Sequence, residues 1–246
     1  MHIIRVKDYD ALSEKACNYV VNQIRKLDKP VLGLATGSTP EGLYERLIDA
    51  YRKEKVTFKN VKTFNLDEYA GLEKKNSNSY YFYMKDKLFN HVDIEMNHVQ
   101  LPNGDVSDIE IECSRYEKKI REAGHIDLQL LGLGLNGHIG FNEPGSSFSS
   151  RTHIVELDVS TREANARFFD SMKNVPTQAI TMGIGTIMES KEILLLVSGK
   201  KKAEAVKQLL EGEISESFPA TVLRNHEKVT MIADEGALSL VASLPL

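Results

Sequence analysis

Short apolar runs that fit buried strands alternate with amphipathic helical segments along almost the whole chain of 246 residues. The first helix is predicted after Asp8, a good N-cap, and its apolar side chains recur at fourfold spacing: Leu12, Ala16, Val20 and Ile24. Such alternation favours right-handed βαβ units, with helices on both faces of a parallel sheet. The sequence therefore predicts an α/β fold, a single-domain Rossmann-like three-layer sandwich over residues 1–246 with a mainly parallel sheet.

The predicted strands are His2–Val6, Val31–Ala35, Val61–Leu66, His98–Leu101, Ile126–Leu133, His153–Leu157, Ala179–Met182, Glu192–Ser198, Thr221–Leu223 and Lys228–Ala233. Helices are predicted from Asp8 to about Leu27 and at Pro40–Lys53, Ser79–Phe89, Asp105–Ala123, Thr161–Met172 and Lys200–Leu210, with a turn at Gly183-x-Gly185. Ligands of such sheets bind beyond the carboxyl ends of the strands. Three polar segments follow predicted strands as loops and predict a site at that edge: Thr36–Thr39, Asp67–Tyr69 and Leu135–Glu143.

The stretch Leu130–Gly145 begins as a buried strand and continues into a glycine-rich segment. Its Gly132-x-Gly134-x-x-Gly137 satisfies the dinucleotide fingerprint, which needs a helix directly after the strand so that a pyrophosphate rests on the helix N-terminus. Gly140 and Pro144 disfavour a helix at that place. The sequence therefore predicts a loop across the top of the sheet and no nicotinamide or flavin site.

This loop brings together an amide, an imidazole and a carboxylate, those of Asn136, His138 and Glu143. Imidazole titrates near neutral pH and can both accept and donate a proton. Glu143 can orient the ring or bias its protonation, and Asn136 can join the same network without adding charge. The alternative is a structural His–Glu pair that only pins the loop, but two neighbouring polar segments favour the catalytic interpretation.

The segment Thr36-Gly37-Ser38-Thr39-Pro40 joins a predicted strand to a predicted helix. Backbone N–H groups and the helix dipole favour an anion there, and Ser38 and Thr39 add hydroxyl donors. No lysine follows in the Walker pattern, so a single phosphate monoester is the favoured ligand. The alternative is an ordinary helix cap with a tight turn.

Three charged side chains complete the candidate site. Asp67 and Glu68 close an apolar strand, where the carboxylate of Asp67 can serve as a base; the alternative for this acidic pair is a solvated strand end or a cap of the next segment. Arg167, on the predicted polar helix, and Lys202, at the start of another, can clamp a phosphate. Other cations compete with them for that role: Arg162, Lys200 and Lys201.

Composition excludes several classes of function. Lys and Arg number 31 against 35 Asp and Glu, without a long basic block, so a nucleic-acid partner is not indicated. Cys17 and Cys113 have no CxxC spacing, and His138 and Glu143 have no HExxH spacing, so no metal is predicted. The N-terminus has no apolar signal region, and no apolar run approaches the ~18 residues of a membrane span. A soluble, cytoplasmic protein without a membrane partner is expected.

With these segments in hand, the chain resembles the glucosamine-6-phosphate deaminases, also called glucosamine-6-phosphate isomerases, over nearly its whole length. The matching motifs, in the family's order, are Thr36–Pro40, Phe64–Tyr69, Gly134–Gly145, Ser150–Thr152, Thr161–Phe169 and Gly199-x-x-Lys202-Ala203. The resemblance implies that a sugar phosphate, glucosamine 6-phosphate, reacts with water to give fructose 6-phosphate and ammonia. It also implies that no metal or organic cofactor takes part.

Carried over by motif, the resemblance implies a role for each candidate residue. His138 opens the sugar ring by passing a proton to the ring oxygen, supported by Asn136 and Glu143. Asp67 then takes the proton from C2 of the open-chain amino aldehyde and returns it at C1. The helix around Arg167 resembles the family's mobile lid. The phosphate is expected on Gly37, Ser38, Thr39, Arg167 and Lys202.

The chain departs from the better-known allosteric members of that family. They carry Asp where this chain has Asn136, which cannot supply charge to an imidazolium, so the pH dependence is expected to differ. They also have a basic pair that binds a regulatory N-acetylglucosamine 6-phosphate, whereas His153 and Val155 occupy those positions here. The chain also stops early, at Leu246. We predict a non-allosteric enzyme that is a monomer or small homo-oligomer.

Two other functions remain open from the sequence. The 6-phosphogluconolactonases resemble this family in fold and phosphate loop, but hydrolysis of a lactone needs no Asp67 to move a proton between carbons. Sugar-phosphate sensors, such as the effector domains of some bacterial repressors, share the fold family. Those sensors carry a helix-turn-helix region, whereas this chain begins with a strand.

Overall fold

The most apolar strands of the chain lie at the centre of a seven-stranded parallel sheet, in a computed structural model that describes residues 1–157, 162, 163, 166, 169 and 171–241. The strands are β1 (His2–Val6), β2 (Val31–Leu34), β3 (Lys62–Asn65), β4 (Asp67–Tyr69), β5 (Val99–Gln100), β6 (Leu128–Gly132), β7 (His153–Glu156), β8 (Gln178–Thr181), β9 (Ile193–Val197) and β10 (Val229–Asp234). The large sheet has the order β1-β10-β9-β6-β2-β3-β5. Every residue of β2, β9 and β10 is buried, as expected for strands covered on both faces.

Helices surround this sheet, so the predicted α/β fold is confirmed. They are α1 (Tyr9–Lys26), α2 (Glu41–Arg52), α3 (Tyr80–Lys87), α4 (Ile109–Glu122), α5 (Ile184–Met188) and α6 (Ala203–Glu211). The N-caps of three helices accept backbone N–H bonds with their side chains: Asp8 for α1, Ser79 for α3 and Asp108 for α4. The predicted helix Thr161–Met172 lies largely outside the described residues.

A second, antiparallel sheet was not foreseen. Its order is β4-β8-β7, and a 2.7 Å bond from the Met182 N–H to the Leu66 carbonyl joins it to the end of β3. The prediction of Asp67–Tyr69 as a loop is therefore wrong, because this segment pairs with β8, Asp67 opposite Thr181. The strand at His153–Glu156 was predicted, but it runs antiparallel to β8 and does not belong to the large sheet.

Two local predictions are also wrong. Thr221–Leu223 is not a strand, because it lies in a 3-10 helix, Pro219–Asn225, in which the Thr221 hydroxyl donates to the Phe218 carbonyl at 2.7 Å. Gly183-x-Gly185 is not a simple turn, because Gly183 is the N-cap of α5. A Cβ on Gly183 would lie 2.3 Å from the Ser150 carbonyl oxygen, so this glycine is required by a close backbone approach.

Within the described part of the chain, none of the helices is both long enough and apolar enough to cross a membrane.

One side chain on α4 supports the strand end that leads to Asp67. The Tyr116 ring is fully buried beside Phe64, and its hydroxyl donates to the Asn65 carbonyl at 2.6 Å. We expect Tyr116→Phe to lower the free energy of unfolding by about 1–3 kcal/mol, because it removes the donor and leaves the ring in place. The same change at the partly exposed Tyr51 should have an effect of about 0.5 kcal/mol or less. Equal denaturant midpoints for wild type and Tyr116→Phe would contradict the prediction.

Candidate active site

A cleft of about 470 Å³ opens at the carboxyl ends of β2, β3 and β6, at the edge of the sheet that the sequence predicted. Six of the nine predicted site residues line it: Gly37, Thr39, Asp67, Asn136, His138 and Lys202. Ser38 and Glu143 do not line the cleft, and Glu143 reaches it through Asn136. Arg167 lies outside the described residues. The three polar segments therefore meet in one place.

Asp67 is a buried carboxyl on the wall of this cleft. It is the first residue of β4, and Leu66 separates it from the end of β3. The pairing of β4 with β8 holds its backbone in place. Only 7% of the residue is exposed. Burial, followed by the like charge of Glu68, raises the pKa of Asp67 from 3.8 to about 8. A carboxyl that keeps its proton near neutral pH and becomes a strong base when it loses it suits proton transfer at carbon.

The side chain of the neighbouring Glu68 lies in a different environment. Its Oε1 accepts the backbone N–H groups of Tyr69 and Tyr80 at 2.9 and 2.8 Å, and its Oε2 accepts that of Tyr81 at 2.9 Å. The last two donors belong to the first turn of α3. Glu68 therefore caps the next helix, a role that the sequence analysis considered only as an alternative for the acidic pair.

Asn136 fixes the tautomer of His138. The carboxylate of Glu143 only accepts hydrogen bonds, so the amide nitrogen of Asn136 faces it, at 2.6 Å from Oε2. The amide oxygen of Asn136 then faces Nδ1 of His138 at 2.7 Å. Because this oxygen is an acceptor, Nδ1 carries the proton, and Nε2 of the neutral ring is left as the basic nitrogen. Glu143 Oε2 lies 3.5 Å from the same Nδ1 and adds its charge to the network.

Two glycines give this loop its shape. A Cβ on Gly134 would lie 2.3 Å from Nδ1 of His138, so only glycine lets the imidazole lie over the backbone at that point. Gly140 has φ of +59°, and a Cβ there would lie 3.0 Å from the Thr181 hydroxyl and 3.8 Å from Oδ2 of Asp67. Gly140 therefore also keeps the approach to Asp67 open.

Hydrogen bonds tie the loop to the small sheet that holds Asp67. The Phe141 N–H donates to the Thr181 hydroxyl at 3.0 Å. The buried amide of Asn142 donates to the carbonyls of Ile139 and Met182, both at 2.9 Å. Since Thr181 also pairs with Asp67, the imidazole and the carboxyl are positioned on one framework.

The opposite wall of the cleft is the turn between β2 and α2. Gly37 has φ of +91°, which glycine adopts without strain. Tyrosine hydroxyls bind the carbonyls of this turn from behind, Tyr83 at Gly37 (2.7 Å) and Tyr9 at Ser38 and Thr39 (3.0 and 3.1 Å). With those carbonyls engaged, the turn and the N-terminus of α2 can direct N–H groups to an anion.

Lys202 supplies a positive charge at this wall. Its Nζ donates to the Leu133 carbonyl at 2.6 Å, and burial lowers its pKa from the usual value. Lys200 and Lys201, its predicted competitors, are exposed. Arg162, the competitor of Arg167, donates to the carbonyls of Met172 and Val175 at 3.4 and 3.2 Å. Its guanidinium is thus engaged by its own segment.

Tyr80 was not anticipated as a residue of the site. It lines the cleft beside Asp67, its ring lies 4.7 Å from that of Tyr69, and it is stacked on Phe141 at 6.2 Å. Its position follows from the start of the helix that the sequence predicted from Ser79, because Ser79 is the N-cap and Tyr80 the first residue of α3. What the sequence could not show is that α3 begins at the cleft.

Among the described residues, no group of three or more His, Cys, Asp and Glu side chains is arranged to hold a metal ion.

The raised pKa of Asp67 predicts how stability changes with pH. The folded protein binds this proton more tightly than the unfolded chain, so its stability falls as pH rises between about 4 and about 8. Asp67→Asn removes this dependence. We expect its free energy of unfolding to rise relative to wild type by about 1 kcal/mol per pH unit between roughly pH 5 and 7, measured by urea unfolding. Asp86→Asn, at a carboxyl that is 59% exposed, should show no such trend. Parallel curves for Asp67→Asn and wild type would contradict the pKa shift.

The sequence and the fold both match proteins of known families. The family model for glucosamine-6-phosphate isomerases and 6-phosphogluconolactonase matches residues 7–232. A glucosamine-6-phosphate deaminase of Oceanobacillus iheyensis is 59% identical over 238 residues, which cover 97% of this chain and 95% of the relative. Glucosamine-6-phosphate deaminase 1 of Bacillus subtilis is 52% identical over 240 residues, 98% of this chain and 99% of the relative.

Solved structures agree with these relatives. The structure of a monomeric glucosamine-6-phosphate deaminase superimposes with a TM-score of 0.96 at 52% identity, covering 98% of this chain and all of the other. A 6-phosphogluconolactonase of Thermotoga maritima has a TM-score of 0.75 at 23% identity, over 95% of this chain and 99% of that one, a likeness of fold alone. With a family model and relatives that span nearly its full length, the chain belongs to the glucosamine-6-phosphate isomerase and 6-phosphogluconolactonase family.

Proposed function

We propose that the protein is a glucosamine-6-phosphate deaminase, which converts glucosamine 6-phosphate and water to fructose 6-phosphate and ammonia. The single observation that supports this assignment is the cleft in which Asp67 and His138 face an anion-binding turn. The reaction needs two groups that transfer protons and a site that binds a phosphate. Residues suited to each of these tasks lie at one edge of the sheet. The names of the relatives at 52–59% identity agree with it.

The substrate's phosphate would bind at the turn Thr36–Thr39, where backbone N–H groups and the N-terminus of α2 favour an anion. Lys202, which also lines the cleft, adds a positive charge, and a phosphate oxygen offers its ammonium a stronger partner than the Leu133 carbonyl. Arg167, outside the described residues, is the further phosphate ligand that the family resemblance implies. Held at this end, the sugar extends toward Asp67 and His138.

Ring opening comes first, because the closed ring has no carbonyl to acidify the proton on C2. Nε2 of His138 takes the proton of the anomeric hydroxyl and delivers it to the ring oxygen as the bond from C1 to that oxygen breaks. While it holds this proton, the imidazole ring is positively charged. The Asn136 oxygen and the Glu143 carboxylate stabilise that charge through Nδ1. The product of this step is the open-chain amino aldehyde.

Asp67 then moves one proton between two carbons. In its ionised form it removes the proton from C2, while the aldehyde oxygen takes a proton from water, and an enolamine forms. The same carboxyl returns its proton to C1, which leaves a protonated imine at C2. Water adds to that imine, and ammonia departs as the ketone of fructose 6-phosphate forms. A lactonase would have no use for the basic carboxyl at Asp67.

An assay of ammonia release tests substrate, reaction and metal independence together. With glucosamine 6-phosphate and EDTA present, we expect the wild type to release ammonia and fructose 6-phosphate in equal amounts. Asp67→Asn should lower kcat by about 10²–10⁴-fold, since the amide cannot accept the proton from C2. The exposed Asp86→Asn should keep wild-type kcat. Full turnover by Asp67→Asn would reject the role of Asp67, and activity lost only with EDTA would reject metal independence.

The rate curve tests the absence of allostery. In the strand β7, His153 and Val155 stand where allosteric members of the family carry a basic pair, and Nδ1 of His153 is 2.7 Å from the Arg151 carbonyl. We therefore expect hyperbolic kinetics, unchanged by N-acetylglucosamine 6-phosphate at concentrations that do not compete with the substrate. A sigmoidal curve that this compound makes hyperbolic would overturn the prediction.

A further inference from the structure

Glu68 is a buried carboxylate that the proposed reaction does not use. Only 2% of the residue is exposed, yet its two oxygens accept three backbone N–H groups, those of Tyr69, Tyr80 and Tyr81. Two of these donors open α3, where the helix dipole favours negative charge. Hydrogen bonds of this kind stabilise the charged form of a carboxyl.

The surroundings of the two carboxyls also favour the charged form of Glu68 over that of Asp67. Asp67 lies on the cleft wall, where no N–H donor to its carboxylate is found among the described residues. The ammonium of Lys74 acts on Glu68 and lowers its pKa, as the three N–H donors do, against a larger effect of burial that raises it to about 7. The three N–H donors and the Lys74 ammonium therefore favour ionisation of Glu68 before Asp67.

The other acidic groups packed around the pair are tyrosine hydroxyls, which carry no charge near neutral pH. Tyr69 and Tyr80 lie on β4 and α3, Tyr116 lies on α4, and burial raises the pKa of all three hydroxyls. Across the cleft, His138 and Lys202 face the substrate space. The fixed negative charge nearest to Asp67 along the chain is thus that of Glu68.

We propose that Glu68 is a positioning residue for the base: its carboxylate, held on the N-terminus of α3, ionises before that of Asp67, and its charge makes Asp67 a stronger base. The inference rests on the proposed role of Asp67 in proton transfer at carbon. β4 puts the two side chains on opposite faces of a strand, so Glu68 acts on Asp67 through its charge and does not touch the substrate. A base strengthened in this way removes a proton from carbon more readily once it is ionised.

Carbon-13 NMR of the labelled carboxyl groups measures the effect directly and does not require activity. In the wild type we expect Glu68 to titrate below Asp67. In Glu68→Gln the midpoint of Asp67 should fall by about one unit, because a like charge close by has been removed. In Glu68→Asp, which keeps the charge and shortens the side chain, the midpoint of Asp67 should stay closer to that of the wild type than to that of Glu68→Gln.

Glu117→Gln is the matched control. Glu117 is also a buried glutamate, 5% exposed, and it accepts the Thr152 N–H and the hydroxyls of Thr152 and Thr186. Its replacement should lower stability and leave the midpoint of Asp67 unchanged. The acid limb of kcat/KM for ammonia release should move with the NMR midpoint of Asp67 in Glu68→Gln and stay in place in Glu117→Gln.

Three results would overturn the inference: an unchanged Asp67 midpoint in Glu68→Gln, an equal fall in Glu68→Asp, or an equal fall in Glu117→Gln. If Glu68→Gln does not fold, the order of titration in the wild type still decides, since ionisation of Asp67 before Glu68 contradicts the proposal. If the Asp67 midpoint falls in Glu68→Gln but the wild type releases no ammonia from glucosamine 6-phosphate, the proposed function is rejected instead. Ammonia release with an unshifted midpoint would reject only the role of Glu68.

Discussion

The site depends on keeping two adjacent carboxyls out of water without pairing either with a buried cation. Burial of an ionised carboxylate is costly, and the chain meets that cost differently for each group. Glu68 receives three N–H donors at the start of α3, whereas Asp67 retains its proton. The small antiparallel sheet gives the two carboxyls these different surroundings. Its strand β4 turns consecutive side chains to opposite faces, one to the helix and one to the cleft.

His138, the second proposed proton-transfer group, is held in place in a different way. His138 lies on a loop that glycine alone can shape, and its ring is about one-third exposed (31%). Its orientation comes from a chain of hydrogen bonds that runs from Glu143 through the Asn136 amide to Nδ1. An amide in the middle of that chain passes on the polarity of the carboxylate while it contributes no charge of its own. The bonds of Phe141 to Thr181, the last residue of β8, and of Asn142 to the following Met182 then fix the position of this loop relative to Asp67.

Patterns within single elements could be predicted from the sequence, and contacts between distant elements could not. The apolar run of β9 and the cap at Asp8 are local signals, and both are confirmed. Gly140 and Pro144 were enough to reject a dinucleotide helix after Gly137. By contrast, Asp67–Tyr69 is a strand only because β8, more than a hundred residues later, pairs with it. The environment of Glu68 likewise depends on where α3 begins, which no pattern around Glu68 reveals.

The contrast between the two proton-transfer groups follows from what the proposed reaction asks of each. Ring opening moves a proton between two oxygens, which exchange protons with water in any case, so a partly exposed imidazole on a loop suffices. Transfer from C2 to C1 requires one group to hold the same proton between two steps, and water near that group would exchange it. Burial of Asp67 excludes that water and also raises its basicity, so one physical cause serves both requirements. In the proposed reaction, the base that acts on carbon therefore lies on a strand inside the fold, and the one that acts on oxygen lies on a loop.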